Sequence, residues 1–172
     1  MTTEILTNTP YPTISATKDK RSAYLISKAY ASEQGELRQA LQFNYHAIQF
    51  SKHGMANCES LFAEIFKADL THFNLLGNAL IRLGEDPIYT KNLYDKFGYF
   101  SASAVSYLNN PKQMILDAVA CKIQSVALYE DLLKALKNNE VISLINYIKE
   151  EELSHLQALK SLKKNYRDRS VL

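Results

Sequence analysis

The chain has 172 residues, of which 47% are hydrophobic, so it is long enough for one domain with a sizeable core and too short for two. A formal net charge of +2 is too small to indicate a nucleic-acid partner, and the basic segment "KSLKKNYRDR" suits the solvated end of a helix. Two distant cysteines with no C-x-x-C pair exclude a zinc-ribbon module and favour a reducing compartment. No apolar run resembles a signal peptide or membrane helix, so we expect a soluble, cytoplasmic protein without membrane contact.

In chain order, residues 1–21 are rich in Thr and Pro and are expected to form a flexible N-terminal tail. Apolar residues then recur at steps of three and four, which predicts a first helix from Ser22 to Phe50. The segment "SKHGMAN" ends it, and a second helix is predicted to continue to Leu83. The sequence "GEDP" stops this second helix, because proline cannot continue it.

Residues 85–110 show no strong periodicity and many aromatics, which indicates a crossover packed on the helices and not a floppy loop. Asn110 and Pro111 supply an N-cap and a first helical residue, and a third helix is predicted from there to Lys137. A fourth helix follows Asn139. The bundle is expected over residues 22–163, with a basic C-terminal tail at 164–172. The fold class is therefore all-α, a ferritin-like four-helix bundle with one long crossover between helices 2 and 3.

One motif occurs twice. "IFKADLTHFNLL" in the second helix and "IKEEELSHLQAL" in the fourth align so that Asp69 matches Glu152 and His72 matches His155. Both pairs fall on stripes that are otherwise apolar, where a charged group carries a desolvation cost unless it is paired or binds metal. Two acid–histidine pairs that face each other in one core therefore predict a metal site.

The other two helices should contribute one carboxylate each. Glu36 takes this position in the first helix, but in the third helix the core stripe places Lys122 there, while Asp117 and Glu130 lie off the stripe. A protonated lysine has no lone pair to bind a metal. Lys122 therefore either takes the place of a second metal ion or extends outward to a surface acid. If Lys122 extends outward, the sequence still allows a weak second metal site.

Five other side chains are expected to lie outside the site. His46 and His53 are predicted to be exposed, and Glu150 and Glu151 are predicted to form a solvated face. Cys121 is interpreted as a packing residue.

The segments "GELRQALQFNYH" and "LTHFNLLGNALIRLGEDPIY", with the two acid-x-x-His motifs, resemble the rubrerythrin branch of the ferritin-like superfamily. The similarity is to the stand-alone bacterial members without a rubredoxin domain, over about residues 24–162. It implies a pair of iron or manganese ions, peroxide reduction or oxidation of ferrous iron with oxygen, and a homodimer.

The sequence departs from that family's pattern at three positions. Asp69 replaces a glutamate and is shorter by about 1.5 Å. Phe43 replaces a tyrosine, and Lys122 replaces the glutamate of the third helix. The tyrosine seven residues further on is kept as Tyr129, which is expected to act as a redox or hydrogen-bond partner of the site.

Three functions fit this pattern. The first, which we carry forward, is a metalloprotein with an altered dinuclear site that takes one or two ions and reacts with peroxide or oxygen. The second is a non-catalytic protein in which a Lys–acid–His network replaces the metal. The third is a mononuclear or Lys122-dependent enzyme of another reaction type, with Lys122 as acid, base or sacrificed side chain.

Overall fold

The computed structural model describes residues 10–15, 18–95 and 97–169. This part of the chain forms five α-helices: α1 (Lys20–Ala31), α2 (Glu36–Lys52), α3 (Ala56–Arg82), α4 (Pro111–Ala135) and α5 (Asn139–Arg169). The last helix continues into the segment that was predicted to be a basic tail. Within the described ranges, no helix is long and apolar enough to cross a membrane.

Helices α1 and α2 both pack on α3, and α4 and α5 form a second antiparallel pair. The architecture is the predicted four-helix bundle, in which α1 and α2 together take the place of the first helix. The prediction of one continuous helix from Ser22 to Phe50 was wrong, since the chain turns between Ala31 and Glu36. A Cβ on Gly35 would lie 2.9 Å from the backbone of Ala29, so only glycine allows this close approach.

The break between α1 and α2 determines the surroundings of Glu36. Glu36 becomes the first residue of α2 and its side chain is fully buried. The partial positive charge of a helix N-terminus favours a carboxylate at this position.

The apolar core consists of two clusters with a polar layer between them. On α3, Asp69 and His72 lie between Ile65 of one cluster and Leu76 of the other. On α5, the second acid–histidine motif likewise lies between Ile148 and Leu159. The charged side chains therefore occupy the middle of the bundle, where the helices hold them at fixed heights.

The crossover packs on the bundle through its aromatic side chains, as expected. Tyr89 makes edge contacts with Tyr30 and Phe73, while Tyr94 stacks on Tyr24. The crossover contains a short 3₁₀ turn at Ala102–Ala104 and an isolated bridge between Thr90 and Tyr99, and the described residues form no strand.

Part of the predicted N-terminal tail contacts α5. Ser15 donates hydrogen bonds to both carboxylate oxygens of Glu140 at 2.7 Å, and Tyr11 meets Tyr147 edge-on. The expected flexibility of residues 1–9, 16 and 17 lies outside the described residues, as does the end of the predicted basic tail at residues 170–172.

Candidate metal centre

The two acid–histidine motifs meet at the centre of the bundle, as their positions on the core stripes predicted. Asp69 and His72 of α3 and Glu152 and His155 of α5 are all fully buried. The rings of His72 and His155 stack with centroids 5.9 Å apart. Glu36 completes the group, with its Oε2 atom 3.6 Å from His72 Nδ1.

Four of these residues are close enough to share one metal ion. One donor atom each from Glu36, Asp69, His72 and Glu152 lies within 4.8 Å of the others. Donor atoms on opposite sides of an ion with bonds of ~2.0–2.2 Å lie up to ~4.4 Å apart, so shifts of a few tenths of an ångström suffice. His155 is not part of this donor set, although the sequence predicted it as a ligand.

Buried polar atoms without hydrogen-bond partners lie in the same cluster, which indicates that these residues fit a metal ion. Among the described residues, Glu36 Oε2, Asp69 Oδ2 and His72 Nδ1 are buried and have no hydrogen-bond partner. Each such atom carries the cost of lost hydration. A divalent ion would bind all three and offset that cost.

Lys122 points into the site. Its Nζ atom donates to Asp69 Oδ1 at 2.7 Å and contacts Glu152 Oε1 at 2.7 Å and Oε2 at 3.0 Å. It also lies 5.0 Å from the centre of the Phe43 ring. Burial lowers the pKa of this ammonium, but the charges of Asp69 and Glu152 outweigh burial and raise it. The alternative in which Lys122 extends to the surface is therefore wrong.

The ammonium affects the two carboxyl groups differently. Burial raises the pKa of Asp69 well above its usual range, despite the opposing charge of Lys122. For Glu152, burial acts in the same direction, but Lys122 and His155 outweigh it and hold the pKa well below the usual range. Glu152 is therefore the more firmly ionised partner of the lysine.

Glu151 is buried and belongs to the site, so its prediction as part of a solvated face was wrong, whereas its neighbour Glu150 is exposed. Glu151 Oε2 lies 2.7 Å from His72 Nε2. Burial lowers the pKa of His72, but Glu151, Glu36 and Glu152 outweigh it and raise that pKa to about 10. With Nε2 bound to Glu151, His72 directs Nδ1 toward the donor set.

The second half of the repeat lacks this support. In the alignment of the two motifs, the residue equivalent to Glu151 is Ala68. His155 Nδ1 is 3.1 Å from Glu152 Oε1, while its Nε2 has no partner among the described residues. Burial lowers the pKa of His155 to about 4. The His155 side thus lacks both a carboxylate from α4 and an orienting carboxylate.

Tyr129 lies beside Glu36, as its predicted role as a hydrogen-bond partner requires. The phenol donates a short hydrogen bond to Glu36 Oε1 and leaves Oε2 free. Burial, together with the charge of Glu36, raises the pKa of Tyr129 well above its usual range. Tyr129 therefore stays protonated and fixes the orientation of this carboxylate.

The remaining histidines differ from each other. His46 is fully buried, so its predicted exposure was wrong, and burial lowers its pKa to about 4. His46 follows Phe43 by three residues and precedes Phe50 by four, which places it on the apolar face of α2. His53 is exposed as predicted and its Nε2 lies 2.8 Å from the carbonyl oxygen of Asn109.

The two acids of α4 that lay off the core stripe stay outside the site. Asp117 accepts a hydrogen bond from Gln42 at 2.7 Å, and Glu130 is exposed. Cys121 is buried, as a packing residue should be, and burial raises the pKa of its thiol to about 12. Its sulfur lies 3.0 Å from Arg38 Nη1.

Solved structures of other proteins share the fold of this chain. No protein-family model matches the sequence, and neither does any curated protein. Two crystal structures of KatB, a manganese catalase from Anabaena PCC7120, are similar to it. In one, 94% of this chain and 80% of that chain superpose with a TM-score of 0.76 at 17% identity. In the other, the shares are 93% and 79%, with a TM-score of 0.77 at 18% identity.

This chain adopts the ferritin-like fold. The ferritin-like bundle holds a buried carboxylate–histidine cluster able to bind a metal ion, and an ammonium lies within the same cluster.

Glu151→Ala is expected to weaken metal binding by about 10–100-fold, because His72 loses the carboxylate that fixes its ring and tautomer. The dissociation constant for Mn(II) or Co(II), measured by calorimetric titration, checks this. Glu150→Ala is the matched control, since Glu150 is the exposed neighbour on the same helix. Equal affinities of the two variants would show that Glu151 does not orient the ligand.

Proposed function

We propose that this chain is a ferritin-like metalloprotein that binds one divalent manganese or iron ion through Glu36, Asp69, His72 and Glu152. Lys122 takes the place of a second ion. The observation that carries the proposal is the position of Lys122 Nζ, 2.7 Å from both Asp69 and Glu152, the two acids that also belong to the donor set.

The charges of the cluster support one ion over two. The four buried carboxylates of Glu36, Asp69, Glu151 and Glu152 face one ammonium. With a neutral His72 and one divalent ion, the cluster keeps a single negative charge. A second divalent ion would make it positive, and it would compete with the lysine for the same oxygens. Because His72 must lose its proton to bind, metal uptake should release protons.

The proposed reaction is with peroxide or oxygen. The structures with a similar fold are of a manganese catalase, and the sequence resembles the rubrerythrin branch, whose members reduce peroxide. A bound manganese or iron ion would supply electron transfer and polarise an oxygen ligand. The chain itself holds the site: Tyr129 orients Glu36, Glu151 orients His72, and Lys122 keeps Asp69 and Glu152 together.

Metal content tests the proposal directly. Protein loaded anaerobically with Mn(II) or Fe(II) is expected to hold about one ion per chain by elemental analysis after gel filtration. His72→Ala should lose this ion, because it removes a donor of the set. His155→Ala, the same change on the other half of the repeat, should keep it. Wild-type protein with far less than one equivalent would contradict metal binding, and the opposite result for the two variants would place the ion on the His155 side.

Peroxide consumption by the loaded protein is expected to be slow. A two-metal site stabilises both oxygens of a bridging substrate, and a single ion beside an ammonium lacks this clamp. Every side chain of the cluster is also fully buried, which should slow the entry of peroxide. Steady-state consumption with an artificial reductant measures this rate. Turnover that survives removal of the metal, or that is undiminished in His72→Ala, would show that the chemistry lies elsewhere.

A second function is favoured by the ion pairs themselves. Lys122 and a protonated His72 each bond to a carboxylate at 2.7 Å, so much of the cluster is paired without an ion. A non-catalytic ferritin-like protein in which this network replaces the metal would show no metal uptake in the same elemental analysis.

A further inference from the structure

Lys122, Asp69 and Glu152 have the arrangement needed to form a covalent bond between helices. The Nζ atom of Lys122 on α4 lies 2.7 Å from Oδ1 of Asp69 on α3 and 2.7 Å from Oε1 of Glu152 on α5. All three side chains are fully buried, and the ring of Phe43 lies 5.0 Å from Nζ. An amine and a carboxyl group held in contact, with a second carboxylate beside them, are the reactants and the proton carrier of an amide condensation.

We propose that Lys122 and Asp69 condense in the metal-free protein to an isopeptide bond that joins α4 to α3. Glu152 takes a proton from the ammonium, and the resulting amine attacks Cγ of Asp69. The Nζ–Cγ bond forms and Nζ loses a second proton. The bond from Cγ to one carboxylate oxygen breaks, and Glu152 passes both protons to that oxygen, which leaves as water. The ammonium and the carboxylate become one neutral amide and one water molecule, without an oxidant, a reductant or an external proton.

The contacts assign different roles to the two acids. Both oxygens of Glu152 contact Nζ, and Oε1 also lies 3.1 Å from His155 Nδ1, so Glu152 is held as a carboxylate able to exchange protons. Asp69 uses only Oδ1 for this contact, and its Oδ2 has no hydrogen-bond partner among the described residues. The free oxygen of Asp69 is therefore the one able to accept a proton and leave.

Burial favours the reaction. In water an ammonium and a carboxylate are well hydrated, and abundant water opposes condensation. In this core both charges have lost their hydration, which makes a buried ion pair costly to keep. Replacing the pair with a neutral amide and releasing the water molecule removes that cost. The chain offers a matched comparison. Lys134 and Asp131 lie at a similar distance of 2.8 Å but are 74% exposed, and they should not react.

This inference goes beyond metal binding and concerns the protein without its ion. Asp69 is needed as a carboxylate for the donor set and as an acyl group for the bond, so metal loading and cross-linking compete for it. The bond would also close a loop of 53 residues between α3 and α4, which raises the temperature of unfolding.

Mass spectrometry of full-length protein, made in metal-depleted medium and incubated with a chelator, tests the proposal. The intact mass should fall by one water molecule in a fraction of chains that grows with time. After digestion with trypsin, a branched peptide should join residues 68–82 to residues 113–134, because the linked Lys122 is no longer cleaved. Fragmentation should place the branch at Asp69.

Lys122→Arg is the control, since it keeps the positive charge and forms no such amide under these conditions; it should keep the full mass. If this variant does not fold, the peptide map of the wild-type chain still tests the proposal. An unchanged intact mass, a water loss without the branched peptide, or a branch at Glu152 would overturn the proposal. Binding of Mn(II) is measured by titration of protein that carries no isopeptide bond. A chain that forms the bond but binds no ion would therefore contradict only the proposed function.

Discussion

Lys122→Met is expected to lower the free energy of unfolding of the metal-free protein by about 3–5 kcal/mol, because it leaves two buried carboxyl groups without their cation. Methionine fills a similar volume, so the loss reports the charge and not a cavity. Urea unfolding followed by circular dichroism measures it, on wild-type protein whose intact mass shows no cross-link. The loss should shrink as the pH falls, since protonated carboxyl groups need no partner.

Lys91→Met provides the control for this change. Lys91 lies 2.8 Å from Glu33, a distance close to that of the buried pair, but the two side chains are 52% and 65% exposed. Water solvates both charges there, so removal of the lysine should change stability little. Equal losses in the two variants would mean that the buried pair has no special role. A more stable Lys122→Met protein would mean that the cluster tolerates its acids without a cation.

Much of the fold was predictable from the sequence because its helix boundaries carry clear chemical signals. The Asn110 side chain accepts from the Gln113 backbone N–H and Pro111 opens α4, as the N-cap pattern predicted. The turn before α3 uses Gly54 with a positive φ of 66°. The break before Glu36 was missed because Gly35 acts through a close backbone approach to Ala29, and this contact depends on tertiary packing.

The burial of the acids and histidines of the cluster could be predicted from their position on the core stripes, and the inward direction of Lys122 follows from the same rule. The same rule also named His155 as a ligand, although it lies outside the donor set. Glu151 was missed although the signal was present: it follows Ile148 by three residues and precedes His155 by four, so it lies on the buried face of α5. Because Glu151 follows Glu150 in a run of acidic residues, the sequence suggested a solvated face. The bond from Glu151 to His72 could not be read from the sequence, because it joins two helices whose relative rotation is set by packing.

Lys122→Glu is expected to raise the metal content from one divalent ion per chain to two. The substitution removes the ammonium from between Asp69 and Glu152 and supplies a carboxylate from α4 on the His155 side. The charges agree with this number. Four carboxylates, one ammonium and one divalent ion leave a single negative charge in the wild type. Five carboxylates and two divalent ions leave the same single negative charge in the variant.

Titration with Mn(II) or Co(II), followed by elemental analysis, gives the two stoichiometries. Lys134→Glu is the matched control, because it makes the same change of charge on α4 at a side chain that is 74% exposed and outside the cluster. It should bind one ion, as the wild type does, since an exposed charge is screened by solvent and supplies no ligand. Two tightly held ions in the wild type, or one ion in both variants, would mean that Lys122 does not take the place of a metal ion.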